Sequence, residues 1–473
     1  MKTGIPLRLT VGTAVAYHNP MFRELWQPLT EWNALHTWIA LTAVLSAMAC
    51  SLPGLWLVLR RQSLMGDALS HTALPGVVVS LMTVTAARSA GWVSEDHFDL
   101  AVQFALIAGA ILMGMVTAAL TEWLQNLSHV ESSTALGVVF TGLFAVGLVL
   151  VRVVADDAHI DAECVLFGSL EGVVWDTWTL LGAEVPKAAV LTGVMLLLNV
   201  VLTLLFFKEL RLASFDAELA TTQGINARGM HYAHMALTAA TVTAAFQSVG
   251  SILVIALLVV PAVTAMQLST RLRYVLVGTL VIAAAGAILG HLMAMTIPPV
   301  ICSRLGWTEV RDASTSGMVC VAAGILFLMA SILGPRGYLR EWLDRLKLAW
   351  QIAEEDLLGQ LYRTEEATAA PHSVSAGWMG QLLLKRLTWR GLALSNAKGY
   401  QLTPAGQSHA RDVVRRHRLW EAYMQKHFDL PEDHLHETAH RVEHYLDSTL
   451  QQALNQELDT PTIDPHGKQI PSP

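Results

Sequence analysis

Apolar runs of the length needed to cross a bilayer, about 20 residues, recur nine times in the first 335 positions of this 473-residue chain. They fall at 36–59, 63–85, 101–123, 134–155, 187–207, 231–248, 250–270, 274–298 and 317–335, with 164–182 reading as a short or re-entrant piece. In lipid a chain must satisfy its own backbone hydrogen bonds, which helices do. The fold class expected is therefore an all-α polytopic membrane protein of about nine transmembrane helices. Charge then marks where the membrane body stops. From Arg336 to Pro473 there are 16 basic and 18 acidic side chains, about half of the chain's 31 Lys+Arg and 38 Asp+Glu. That tail reads as a small cytoplasmic α(+β) domain. The divisions expected are a periplasmic arm (1–35), a membrane domain (36–335), a linker (336–351) and two tail segments (352–402 and 403–473).

Several classes are excluded early. The net charge of −7 argues against a nucleic-acid surface over the whole molecule. Cys50, Cys164, Cys302 and Cys320 show no CxxC spacing, so neither a disulfide framework nor a thiolate zinc site is indicated. The first apolar run begins late and is followed by Arg60-Arg61, unlike a signal peptide. No GxxxxGK[ST] phosphate loop occurs, so the chain is not expected to be an ATPase or other enzyme. Lys and Arg in the short loops after the first, fifth, seventh and ninth runs set the orientation. The N-terminus is outside, with Met21–Trp26 as an interfacial helix against lipid, and the tail lies in the cytoplasm of a bacterial inner membrane.

Polar groups are expensive inside such a body. Asp67 and His71 are four apart, so on a helix they share a face. A carboxylate and an imidazole there can hold a divalent cation such as Mn²⁺, Fe²⁺ or Zn²⁺, or simply form an ion pair near Arg60-Arg61. Pro75-Gly76 would kink or end that helix. His291, alone in an apolar run, is either a packing residue or a third ligand. The outer cluster His159–Cys164 either attracts cations or is a solvated loop. The segment 214–225, with Phe215, Asp216 and Glu218, reads as a short amphipathic helix stopped by Gly224, fit to dock a partner or merely to connect.

The string Arg60–Gly76 (RRQSLMGDALSHTALPG), with Ala135–Ala145 and Val249–Ala262, resembles the permease subunits of manganese/zinc/iron ABC importers over roughly 40–335. The resemblance implies that Asp67 and His71 bind the cation in its path and that 214–225 couples to an ATPase subunit. It also implies a periplasmic metal-binding protein as donor and a second permease subunit, identical or not.

In the tail, Trp350–Glu366 has a helical pattern, 377–389 suggests one helix, and Gly391–Thr403 suggests two short strands around a turn. A further helix begins at Thr403-Pro404, a capping residue followed by proline at the first position. His417 and Glu421 are i,i+4 partners, and His436, His440, Glu443 and His444 form a stripe on the next helix. Two imidazole/carboxylate faces either suit a metal or make a solvated amphipathic surface, and for a metal the absence of thiolate tilts the choice toward Mn²⁺ or Fe²⁺ over Zn²⁺. The strings Leu402–Gly406, Val414–Glu421, His436–His444 and Asp464–Gly467 resemble the iron- and manganese-dependent repressors over roughly 352–471. That resemblance implies a degenerate winged-helix segment (352–402) and a metal-sensing, metal-binding, dimerisation-like segment (403–473); it places His417, Glu421, His436, His440, Glu443 and His444 on metal-ligand positions, and Asp356 on that of an N-terminal carboxylate. The companion acid three residues on is Gly359 here.

Only one helix fits before the wing where a helix-turn-helix needs two, so operator binding through Lys385, Arg386 and Arg390 is disfavoured. The leading expectation is an importer permease carrying a cytoplasmic metal sensor that regulates transport. The alternatives are a membrane-tethered, metal-dependent DNA-binding regulator and a transporter driven by protons or sodium.

Overall fold

In a computed structural model of the chain, the structure describes residues 32–94, 97–128, 130–154, 170–180, 182–304, 313–368, 378–396, 399–428, 439–440 and 442–472. The chain divides into two compact units, Met1–Tyr338 and Leu339–Pro473.

The first unit is a helix bundle. Its helices are α1 (Ala34–Leu59), α2 (Ser63–Ser89), α3 (Phe98–Ser128), α4 (Ser132–Val154), α5 (Lys187–Leu205), α6 (Phe207–Phe215), α7 (Ala217–Thr222), α8 (Ala227–Val249), α9 (Ser251–Leu268), α10 (Leu272–Arg304) and α11 (Thr315–Leu333). Among the described residues of this unit, α1–α5 and α9–α11 contain stretches long and apolar enough to span a membrane. The expected span 231–248 is helical too, as α8, but it is not among those stretches. The reason is its setting: α8 packs against α1, α2, α3, α5 and α9, so its Thr238, Thr241, Thr243 and His234 are buried in protein. The segment expected as re-entrant gives, in its described part, a 3₁₀ turn (Gly172–Trp175) and the hairpin β1 (Thr177–Leu180)–β2 (Ala183–Pro186). Its Leu170 is inserted into the core formed by α1, α8, α9 and α10.

Close backbone approach holds the bundle together. A Cβ on Gly54 of α1 would lie 1.9 Å from the Leu258 carbonyl oxygen of α9, and one on Gly76 of α2 would lie 2.4 Å from that of Gly109 on α3. Small residues at such crossings let helices pack where lipid supplies no hydrophobic drive. Polar side chains are satisfied locally: Thr117, Thr192, Thr238 and Thr264 each donate to the carbonyl four residues back. The buried Asn199 joins three helices, donating to Ala49 O at 3.3 Å and Thr241 Oγ1 at 2.9 Å. Pro75 does not end α2, which continues through it to Ser89.

The second unit starts within α12 (Tyr338–Thr368), so the expected linker is largely helical. It continues with α13 (Trp378–Trp389), the antiparallel pair β3 (Ala393–Asn396)–β4 (Gly399–Leu402), α14 (Pro404–His427) and α15 (Ser448–Glu457). Leu357, Leu361, Leu384, Leu387, Leu402 and Ala410 form its core. Thr403 caps α14 by accepting from Gly406 N at 3.1 Å, with Pro404 at the first position. One helix, a β-hairpin wing and the capped α14 are as the sequence pattern suggests.

Candidate metal sites and coupling surface

Asp67 and His71 lie in the first turns of α2, with Asp67 Oδ1 3.4 Å from His71 Nε2. Both are partly exposed. The imidazole stands edge-on to Phe144 at 5.1 Å and tilted to Phe140 at 5.9 Å, both on α4. A carboxylate and an imidazole are thus held together beside an aromatic wall. His291 is not brought to this pair. It is buried on α10, where its neighbours are Trp32, His36 and Thr315. The expectations for Met21–Trp26 and His159–Cys164 lie outside the described residues.

The segment 214–225 is not one helix but the junction of α6 and α7. Asp216 breaks the chain between them and caps α7, accepting from Leu219 N at 2.9 Å. Gly224, at φ +84°, ends it: Ile225 N donates to Ala220 O and Gly224 N to Thr221 O, the closed C-terminal motif that glycine permits. Phe215 and Leu219 are left exposed at the tip, 65% and 43%. Beside them is a groove of about 720 Å³ lined by Arg60, Met65, Glu122, Glu218 and His231. Arg60 Nε donates to Ser214 Oγ at 3.1 Å, tying the α1–α2 turn, and so the start of α2, to this segment.

In the tail, Asp356 on α12 meets His440, Glu443 and His444, one ligand atom from each lying within 4.8 Å of the others. Residues 443–445 form a 3₁₀ turn rather than the regular helix expected. Glu443 is shared: its Oε2 lies 2.7 Å from His417 Nδ1, its Oε1 3.1 Å from His440 Nδ1 and 3.5 Å from His444 Nε2. His417 Nε2 is 3.0 Å from Glu421 Oε1. The two faces read from spacing therefore meet through one carboxylate. His436 lies outside the described residues. Burial would lower the His444 pKa, but hydrogen bonding to Asp356 and Glu355 and the charge of Glu443 push it up to about 9. Burial opposes the charge on His417 too, yet Glu421 and Glu443 raise its pKa.

The donor set fits a divalent metal. Asp356 Oδ1 and His444 Nε2 face each other at 3.1 Å, both buried. A proton on the ring holds them together as a hydrogen bond, and a cation replacing that proton would meet a carboxylate oxygen and an imidazole nitrogen already converged.

Sequence reasoning missed Glu355, whose Oε2 lies 2.9 Å from His444 Nδ1. Its adjacency to Asp356 was the available signal. It also missed His466, whose Nε2 lies 3.7 Å from Glu421 Oε1. Asp464 orders that loop by accepting from His466 N and Lys468 N. Arg386 and Arg390, the expected basic patch, are drawn onto Glu354 at 3.5 and 2.5 Å.

The profile of the ABC 3 transport family matches residues 33–334, and that of the iron dependent repressor, metal binding and dimerisation domain matches 403–472. The manganese transport system membrane protein MntD of Bacillus subtilis (strain 168) is 34% identical over 303 residues, 64% of this chain and 93% of that protein. A probable metal transport system membrane protein of Chlamydia trachomatis serovar D is 25% identical over 451 residues, 90% of this chain and 94% of that one. Among solved structures, PsaBC from Streptococcus pneumoniae in complex with Fab overlays with a TM-score of 0.50 at 25% identity, covering 67% of this chain and 98% of the matched chain. A bundle of apolar helices, a paired carboxylate and imidazole and a profile match over most of the chain lead to one conclusion: the chain belongs to the ABC 3 transport family, a metal-transporting membrane permease that ends in an iron-dependent-repressor-type metal-binding domain.

Proposed function

We propose that this chain is the permease through which Mn²⁺, Fe²⁺ or Zn²⁺ enters the cytoplasm, passing Asp67 and His71. Transport is driven by a separate ABC ATPase subunit docked at Phe215, Asp216, Glu218 and Gly224. A periplasmic binding protein supplies the metal, and a second permease subunit completes the pore in the bacterial inner membrane. The N-terminus is periplasmic and the tail cytoplasmic.

The observation that carries this reading is the Asp67–His71 pair, 3.4 Å apart near the end of a membrane helix whose first turn is tied through Arg60 to the α6–α7 junction. A cation site and a docking surface at the same end of the bundle are what coupling of hydrolysis to release requires. Replacing both residues, Asp67→Ala with His71→Ala, tests it. Uptake of radiolabelled Mn²⁺ should fall at least tenfold, the loss expected when a metal site is dismantled. Wild-type uptake by the double variant would remove this conduit.

In the tail, His417, Glu421, His440, Glu443, His444 and Asp356, with His436, are the residues that would hold a regulatory metal. Bound metal would cross-link α12, α14 and the 443–445 turn through charge-assisted contacts. A metallated tail that favours one transporter conformation would slow import when internal metal is plentiful, since a ligand shifts an equilibrium only through differential affinity for its states. The engagement of Arg386 and Arg390 with Glu354 supports this role over operator binding.

A further inference from the structure

His36, in the first turn of α1, and His291, on α10, stand with ring centroids 5.4 Å apart. Trp32 closes over them, 5.8 Å from His36 and edge-on to His291 at 5.5 Å. His291 is 2% exposed. Its Nδ1 is engaged by Thr315 Oγ1 at 3.3 Å, and Thr315 is itself fixed by Glu171, whose Oε1 accepts from Thr315 N at 2.6 Å. With that nitrogen donating to the hydroxyl, the other one carries the lone pair that a ligand would meet. That other atom, His291 Nε2, is buried without a hydrogen-bond partner among the described residues, and so is His36 Nδ1. Buried polar atoms are nearly always satisfied. Two unsatisfied imidazole nitrogens on adjoining rings, from helices far apart in sequence, call for a shared ligand.

This place is not the Asp67–His71 pair. Residues 36 to 59 rise about 35 Å along α1, and Asp67 lies only about 6 Å back along α2 after a tight turn, so the two places stand roughly 30 Å apart along the bundle. His291 agrees, lying about 29 Å along α10 from its Leu272 end by the same rise per residue.

We infer that His36 and His291 form a second transition-metal site, a two-imidazole capture point at the far end of the bundle from Asp67 and His71. The inference rests on the permease reading and adds to it the step at which metal is first taken and selected. Neutral imidazole binds Mn²⁺, Fe²⁺, Co²⁺ and Zn²⁺, whereas Mg²⁺ and Ca²⁺ demand oxygen ligands. A pair of nitrogens therefore passes transition metals and turns away the abundant hard cations. Two protein ligands, with water completing the shell, hold an ion loosely enough to release it inward, as a conducting path requires.

Two measurements test this. Substituting His36→Phe with His291→Phe in the full-length chain keeps rings packed against Trp32 and removes the nitrogens. In cells with the complete transporter, the Mn²⁺ concentration for half-maximal uptake should rise about tenfold with the maximal rate within about twofold, the signature of a lost capture site. An unchanged concentration dependence overturns the inference. Separately, purified full-length protein carrying Asp67→Ala, His71→Ala, His417→Ala, His440→Ala and His444→Ala is dialysed against radioactive zinc with excess Mg²⁺. Adding the two phenylalanines should remove one bound equivalent. Loss of none, or displacement of that equivalent by Mg²⁺, overturns it. Dialysis reads binding whether or not the chain transports, so it separates failure of this site from failure of the permease reading. If the double variant does not accumulate, His291→Phe alone is read in the same way.

Discussion

Glu443 and His417, 26 residues apart in sequence, stand 2.7 Å apart in the tail with both side chains almost fully buried. The other oxygen of the same carboxylate serves His440. One acid thus belongs to two imidazole clusters at once.

Glu443→Gln should therefore weaken metal binding to both. The amide keeps the shape but loses the charge and one acceptor oxygen. Affinity of the full-length protein for Mn²⁺ should drop at least tenfold, as read by calorimetry, and His417→Ala should weaken it in the same direction. Unchanged affinity in the Glu443→Gln protein would show that this carboxylate is no ligand.

Removing residues 352–473 tests regulation. If the tail restrains import, the truncated permease should keep accumulating Mn²⁺ at internal concentrations that slow the full-length chain. Identical uptake curves would leave the tail without that role.

Phe215 and Leu219 are exposed at the α6–α7 junction, so Phe215→Ala with Leu219→Ala should leave the fold within about 0.5 kcal/mol. Buried aromatic and aliphatic anchors dominate docking surfaces. Co-purification of the ATPase subunit should fall sharply and uptake with it, while the protein still melts at its usual temperature. An unaffected complex would move the contact elsewhere.

The Arg418 guanidinium, donating to Glu366 at 2.8 Å, holds that carboxyl below its usual range. A depressed folded-state pKa stabilises the fold above the ordinary carboxylate value, and that stability is lost as pH falls through the folded one. Glu366→Gln should accordingly lower the tail's unfolding temperature near pH 7, and the gap to wild type should close as acid protonates the carboxyl in the folded state. Thermal unfolding of the full-length protein across that range reads it. Since Glu366 is partly exposed, the effect is modest.

Sequence makes the body legible because lipid leaves a chain few choices. Spacing alone puts Asp67 and His71 on one face, and the Thr403-Pro404 start of α14 is plain from the capping pattern. The features that escape depend on tertiary context. The run 231–248 reads as one more crossing, but only the fold shows that α8 is embedded in protein, with Thr238, Thr241 and Thr243 buried among its neighbours. His36 sits at the rim of an apolar run, where a polar residue looks like a boundary, and only the approach of α10 gives it a partner. His291 reads as a third ligand for Asp67 because sequence carries no depth, and two residues on different helices share a site only at the same height. Glu355 is overshadowed by its neighbour. The 3₁₀ turn at 443–445 is hidden because an i, i+4, i+7, i+8 pattern assumes an unbroken helix.

Pro75 has one consequence for mechanics. Lacking an N–H, it cannot donate the helical bond owed to the carbonyl four positions earlier, and that carbonyl belongs to His71. The rung missing from α2 thus falls immediately after the residue whose imidazole faces Phe144, while the next residue, Gly76, is pressed against Gly109 and anchors the far half of the helix. Any flexing of α2 costs least at this step, so the turns bearing Asp67 and His71 bend most readily against the far half of the crossing, as a hinge leaf does against its fixed plate.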